Sequence, residues 1–449
     1  MTTAELSVEE LAAVSEPRVS GSLPGPEAQA VIARDASVTS PSLPRAYEFV
    51  PRRGSGSVVE DVDGNLFLDL NAGIAVNSTG HSHPKVVEAI QRQAAELIHY
   101  SASDFFLPIY SEVCARLDSV APMSGSVRAF LTNSGTEAVE ASIKLARYVT
   151  GRQNIIGFYG AFHGRSYGSV SVTASKTIYR AKFGPMLPGI FHAPYGDGHG
   201  WGLELADASG EYGFPTIGYI EKILFKRVVA ADEVAAIIVE PILGEGGYIV
   251  PPDGWLQALR ELCDRHGILL VADEVQSGMG RTGKMWAIEH FGVEPDVVLS
   301  GKGIASGMPL GAMIAKEHLM SWELGAHGST YGGSPTSCAA ALASIDLIEN
   351  GLMQNAEKVG NVMLNGLRDI QSRQDAIREV RGLGLMIGIE FPDHDSADAV
   401  EKAAFRRGLL MLGCGDDAIR MSPPLVFRED QAETSLRLFE DAVADVAGR

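Results

Sequence analysis

Lys302 is the one charged residue in a long apolar, glycine-rich stretch, VVLSGKGIASGMPLGAMIA (297–315). Withdrawing an ammonium from water is costly unless the group is paired or loses its proton. A lysine desolvated in this way becomes nucleophilic and condenses with carbonyls to form Schiff bases. The flanking Gly301 and Gly303 predict a turn in the chain and space for a ring to approach the backbone. Asp273 presents a related problem, because GILLVADEVQSGMGRTG (267–283) runs an apolar strand into a carboxylate. Such a group needs a positive partner. That partner is either a structural salt bridge or a heterocyclic nitrogen that the carboxylate keeps protonated.

A third stretch, FLTNSGTEAVEASIKLAR (130–147), reads as strand, small-residue turn and helix start. Free backbone N–H groups at Ser134, Gly135 and Thr136 would face an anion there, helped by the helix dipole. An ordinary N-cap by Ser134 or Thr136 explains the same letters. A phosphate seat, a strand-end aspartate and a buried lysine are together what pyridoxal phosphate requires. The lysine holds its aldehyde, the helix start holds its phosphate, and the carboxylate keeps its ring nitrogen protonated. The rival motif is GMGRTG (278–283), which fits the dinucleotide fingerprint G-x-G-x-x-G and would make the chain an NAD-dependent oxidoreductase. Its context argues against it. Asp273, Glu274 and Gln276 intervene after the strand, and the next strand, DVVLSGKG, ends in glycine and lysine rather than an acid.

The elements that must position these residues alternate between helix and short buried strand from about residue 75 to 330. VRAFLTNSG, NIIGFYG, VAAIIVEP, GILLVADEV and DVVLSG are the strands, and their continuous apolar character predicts a mainly parallel sheet covered on both faces. Ligands bind beyond the carboxyl ends of such strands. Upstream, GPEAQAVIARDA (25–36) predicts a helix opened by Pro26, and SGSVVEDVDGNLFLDLNAG (55–73) a hairpin turning at Asp63-Gly64. Downstream, a long helical stretch (337–373) leads to IREVRGLGLMIGIEF, the helix SADAVEKAAFRRG, the strand-like LLMLGC and a final helix (429–447). The expected organisation is a loose acidic tail (1–20), an N-terminal segment packing near the small domain (21–74), a large cofactor-binding α/β domain (75–335) and a smaller C-terminal α+β domain (336–449).

Bulk properties narrow the function classes. A net charge of −19 over 449 residues argues against nucleic acid or an anionic membrane surface as partner, because counterion release needs clustered Lys and Arg. The four scattered cysteines suggest reduced thiols. The acidic start MTTAELSVEELAAVSEP has no signal-peptide pattern, and no apolar run approaches the roughly 20 residues of a membrane helix. A cytoplasmic setting is the expectation. His81 and His83 form H-x-H in a turn without a third ligand, so no metal is expected.

The chain resembles the class III (subgroup II) pyridoxal-phosphate aminotransferases of fold type I, from about residue 25 to 447. NAGIAVNSTGHSHP, TNSGTEAVEASIKLAR, GFYGAFHGRS, VEPILGEGG, LLVADEVQSGMGRTG, SGKGIASGMPLGA, GSTYGGSP and VRGLGLMIGIE occur in the family's order. Within it, the 4-aminobutyrate enzymes look most similar. The resemblance implies that Lys302 carries the cofactor and moves the proton between Cα and C4′, while Asp273 pairs with the ring nitrogen. It implies Gln276 on the ring 3-oxygen, Val275 on one ring face and Phe162 on the other, where many relatives have Tyr. It implies Gly135 and Thr136 at the phosphate, joined by Thr330 from a second subunit, hence a homodimer with shared sites. Arg165 would take the distal carboxylate of an ω-amino acid, and Arg420 the α-carboxylate of glutamate or 2-oxoglutarate. Glu245 would pair with Arg420 while an ω-amino substrate is bound. Glu240 would lie near the ring and Gln276, and Ile74 would line the substrate channel. His163 is expected to be structural, in the turn leading to Arg165. The implied reaction is ping-pong transamination with 2-oxoglutarate. Amino-acid racemases and ornithine-type aminotransferases share the overall look, and a long segment at 194–229 keeps them open.

Overall fold

The computed structural model describes residues 6–196 and 213–448. A first sheet begins with β1 (Pro51–Ser55), β2 (Val58–Asp61) and β3 (Leu66–Asp69). The β2–β3 hairpin forms with Gly64 left-handed at its turn (φ 85°). Asp63 in that turn does more than reverse the chain. Its carboxylate accepts from the N–H groups of Glu27 and Ala28, capping the helix Pro26–Val38, whose own N-cap, Gly25, has no side chain to do so.

The central sheet comprises β4 (Val127–Thr132), β5 (Asn154–Phe158), β6 (Ile190–Ala193), β7 (Val234–Val239), β8 (Leu269–Asp273), β9 (Val297–Ser300) and β10 (Gly311–Lys316). Their order is β4-β10-β9-β8-β7-β5-β6, parallel from β9 to β6 and antiparallel on either side of β10. Side-chain alternation divides the strands between two layers. Ile237, Val239, Leu270, Ala272 and Val298 enter one apolar core, and Ala236, Ile238, Val271, Val297 and Leu299 the other. Every residue of β7 is buried, as a strand covered on both faces requires. Because β7, β8 and β9 are parallel neighbours, their carboxyl ends bring Glu240, Asp273 and Lys302 side by side.

A third sheet, ordered β11-β12-β15-β14, holds β11 (Glu379–Leu383), β12 (Met386–Glu390), β14 (Leu412–Cys414) and β15 (Ala418–Met421), whereas β13 (Leu409–Leu410) pairs in parallel with β3. Two expectations need correction. The stretch 337–373 is not one helix: Pro335–Leu347 and Met353–Gln371 are separated at 348–352, where Gly351 takes φ 139°. Residues 8–20 are not loose either. Val8–Ala12 is a helix with Ser7 and Glu10 forming a capping box, Leu11 is buried, and Arg18 bridges to Leu66. Leu11 supplies the apolar anchor that an acidic tail otherwise lacks. Of the 194–229 segment, residues 197–212 lie outside the described residues. No helix among the described residues is long and apolar enough to cross a membrane.

Candidate active site

Beyond the carboxyl ends of β7, β8 and β9 lies a cleft of about 280 Å³. It gathers most of the residues singled out above, Ser134 and His163 among them. Glu240, Asp273, Val275, Gln276 and Lys302 come from the strand ends, Gly135 and Thr136 from the helix Gly135–Thr150, and Phe162 and Arg165 from the turn after β5. Larger cavities of about 700 and 810 Å³ lie elsewhere, but neither is lined by a buried amine, so the smaller cleft has the chemistry.

Lys302 stands at the cleft in a left-handed conformation (φ 45°). Burial lowers its ammonium to about 8, Arg420 pushes the same way, and Glu240 and Asp273 oppose. Its flanking glycines serve a different purpose from the one their spacing suggested. A Cβ on Gly301 would press on Val275 and the Gly135 backbone, and one on Gly303 would meet Ser78 Oγ at 2.5 Å. They let protein segments close on one another and do not open space for a ring. The same holds for Gly135, whose Cβ would meet Val275 Cγ1 at 2.7 Å.

Asp273 is buried, and its partner is neither lysine nor arginine but the imidazole of His163. Nδ1 of His163 lies 2.7 Å from Asp273 Oδ2, and the Val275 N–H donates to Oδ1 at 3.1 Å. Burial alone would lower the imidazole's pKa; the hydrogen bond and charge of Asp273, with Glu240 behind, raise it instead. His163 therefore belongs to the site and is more than a turn residue. Glu240 accepts from the N–H groups of Phe162 and Gly244, each at 2.8 Å, and burial raises its carboxyl to about 7. Gln276 Oε1 accepts from the Tyr248 hydroxyl at 2.9 Å, which fixes the orientation of its amide.

The helix start at Gly135 is free. Ser134 occupies the N-cap position without a side-chain cap bond, and the Thr136 hydroxyl is engaged by Ser166 and Ser169 at 2.7 and 2.5 Å. The ordinary capping explanation fails, and the N–H groups remain open to an anion. A buried amine, a carboxylate unpaired with lysine or arginine, and an uncapped helix start suit pyridoxal phosphate, and the residues present fit it.

Four singled-out residues stand apart from the cleft lining. Thr330 is exposed. Ile74 lies on a turn whose residues Ala72, Gly73, Ile74 and Ala75 are all left-handed, with φ between 50° and 66°. Arg420 is buried on β15, its Nε without a hydrogen-bond partner. Glu245 pairs not with Arg420 but with Lys176 (3.0 Å) and the Tyr179 hydroxyl (3.1 Å). Arg165 lies over the rings of Phe162 and Tyr179, 5.4 and 4.8 Å from their centroids. Nothing in the sequence pattern signalled Lys176 or Tyr179. GMGRTG does not lead into a helix as a dinucleotide loop must; it folds into turns followed by a short 3-10 stretch, and Arg281 within it is buried, donating to the carbonyls of Leu385 and Pro423. Among the described residues no cluster suits a metal ion.

Residues 41–443 match the family model described as aminotransferase class-III. An acetylornithine aminotransferase of Methanopyrus kandleri is 43% identical over 87% of this chain and 93% of its own length. A 4-aminobutyrate aminotransferase of Mycobacterium leprae is 40% identical over 88% and 90%. An alanine/serine racemase of Pyrococcus horikoshii is 37% identical over 96% and 93%. Among solved structures, the ornithine aminotransferase of Toxoplasma gondii, described with partial occupancy of PLP at its active site, superposes with a TM-score of 0.82 at 28% identity, covering 93% of this chain and 94% of that one.

Proposed function

The chain belongs to the class-III aminotransferases, and from that premise we propose that it moves the amino group of an ω-amino acid resembling 4-aminobutyrate to 2-oxoglutarate. It is an enzyme of fold type I that uses pyridoxal 5′-phosphate. When bound, that cofactor supplies an aldehyde that condenses with amines and a ring that accepts electrons. The observation carrying the site assignment is the meeting of Glu240, Asp273 and Lys302 at three adjacent strand ends opposite an uncapped helix start.

Lys302, with its ammonium near 8, takes a proton from the substrate carbon and returns it, a task suited to a base poised close to neutrality. Asp273, oriented by His163 and the Val275 N–H, would hold the ring nitrogen. Gly135 and Thr136 would hold the phosphate, with Thr330 of a second copy reaching in. Phe162 and Val275 would flank the ring, and Gln276, with Glu240 behind it, would hold the ring oxygen. Phe162 lacks the hydroxyl that a Tyr would bring, so stacking is all it contributes. Two guanidinium groups at different depths support the substrate class: exposed Arg165 for a distal carboxylate and buried Arg420 for an α-carboxylate, with Ile74 beside the channel. A homodimer is part of the proposal, since exposed Phe106, Leu324 and Tyr331 suit burial against a second copy near Thr330. A cytoplasmic setting is consistent with four cysteines that form no disulfide.

Unpaired Arg420 and the racemase relative favour a second reading, α-amino acid racemization, and ornithine-type donors are a third. One panel separates them. Purified enzyme is given 4-aminobutyrate, ornithine, acetylornithine and α-amino acids with 2-oxoglutarate, beside a chiral assay without any oxo acid. Glutamate formed from 4-aminobutyrate with parallel-line kinetics is the expected result. Inversion of an α-amino acid without an oxo acid, and no glutamate from any ω-donor, would replace this reading with the racemase.

A further inference from the structure

Three cationic side chains lie on the elements around Glu245. Lys176 pairs with it directly, Arg165 stacks on its partner Tyr179, and Arg420 stands on β15 beyond the turn its loop is tied to. Glu245 Oε1 is taken by Lys176 Nζ and by the Tyr179 hydroxyl, while Oε2 is buried with no partner. The Tyr179 ring carries the Arg165 guanidinium on its face, 4.8 Å away. On the other side, Gly415 donates to the Glu245 carbonyl at 2.6 Å, which ties this loop to the turn between β14 and β15. The same turn leads into β15, and β14 pairs with it so that Leu412 lies opposite Arg420, which puts the Glu245 loop at the end of the hairpin that carries this arginine. Yet Arg420 forms no ion pair among the described residues and buries its Nε unpaired. Glu401, a carboxylate that does feel Arg420, is raised to about 7 by burial and accepts from the Gly413 N–H, so no ion pair satisfies this costly guanidinium.

We infer that Lys176 is the positioning residue that sets the substrate class, by holding Glu245 away from Arg420 so that the cleft stands ready for a dicarboxylate. With one carboxylate neutralising one cation, two positive charges remain, at Arg165 and Arg420. That matches a molecule bearing two carboxylates, such as glutamate or 2-oxoglutarate, and mismatches a monocarboxylate. Burial works against the Lys176 ammonium, but the charge and hydrogen bond of Glu245 more than compensate and keep it charged. When the substrate has no α-carboxylate, Glu245 can leave Lys176 for Arg420; the strength of the Lys176 bond then sets how strongly that second class is disfavoured. The inference rests on the transaminase reading for its two substrate classes, but its test does not.

Unreactive glutarate and pentanoate, a dicarboxylate and a monocarboxylate of the same length, are titrated calorimetrically into the holoenzyme. Lys176→Ala should weaken glutarate about tenfold relative to pentanoate, because freed Glu245 then occupies Arg420. Lys176→Arg should retain tight glutarate binding. Lys176→Ala combined with Glu245→Gln should recover it, because Arg420 then has no competitor. In steady state the same loss should appear in KM for 2-oxoglutarate rather than in kcat. Glutarate binding that is unmoved in Lys176→Ala, or not recovered in the double variant, would overturn the inference. If 4-aminobutyrate gives no glutamate while glutarate still follows Lys176, the donor assignment alone falls.

Discussion

Lys302 and Asp273 were legible because each is an ionisable group at the end of an apolar run, an expensive placement that demands a purpose. Their partners were not. His163 meets Asp273 across 110 residues, a contact that only the parallel neighbourhood of β5, β7 and β8 creates. His163→Ala should leave a buried carboxylate with one donor fewer, costing about 1–3 kcal/mol of stability. It should also lower kcat about tenfold or more; thermal melts and steady-state rates measure the two effects. Glu274 gives a pH prediction. Burial raises its carboxyl from 4.5 to about 7 despite hydrogen bonds from Ser277 and the Ile288 N–H. The folded state therefore binds this proton more tightly than the unfolded state, so its stabilising contribution is complete below pH 4.5 and declines as pH rises through about 7. Glu274→Gln should flatten the fall in Tm between about pH 5 and 8. An unchanged slope would exclude the residue as its source.

At the scale of elements, legibility followed burial. β5, β7, β8 and β9 are continuous apolar runs between helices, and such runs state their own position. The left-handed turn at Ala72–Ala75 gave no such signal, since only Gly73 favours that conformation and Ile74 is the residue type least suited to it. What holds it is Asp69, whose Oδ1 accepts from the N–H groups of Asn71 and Ala72 while Oδ2 meets His81 Nε2 at 2.6 Å. The turn closes on hydrogen bonds from Ala75 to Asn71 and from Val76 to Ala72, each 2.9 Å. A left-handed L-residue costs roughly 1–2 kcal/mol. Ile74 is 38% exposed and loses little by truncation. Ile74→Gly should accordingly raise stability by about 1 kcal/mol in denaturant titration. The 348–352 break was missed for the opposite reason: the apolar period continues through it, and one glycine decides the geometry.

Across the whole molecule, the ends of the chain proved less separable than composition suggested. Arg428 donates to the carbonyls of Ala12, Ala13 and Val14, Gln431 donates to Val14, and Arg437 pairs with Glu16. An acidic opening looks like a tail when read alone. It becomes structure because basic residues near the far end of the chain receive it, and no local rule connects the two. Leu11→Ala, removing a side chain that is 1% exposed, should cost about 2–5 kcal/mol. A denaturant midpoint equal to that of the parent would mean that the segment is only loosely docked.

The pairing of β3 with β13 has a consequence for how the protein is made. Leu68 waits for Leu409. A ribosome adding about 5–20 residues per second needs on the order of half a minute to cover that interval. Throughout that time the edge of β3, with Phe67 and Leu68 in it, has no native neighbour to pair with. The central sheet, with Asp273 and Lys302 at its strand ends, can be complete by residue 316, well before the first-made sheet finds its last strand. The order of synthesis and the order of completion are thus reversed for these two sheets, and the strands made before the central sheet are the ones that wait longest for protection against the wrong neighbour.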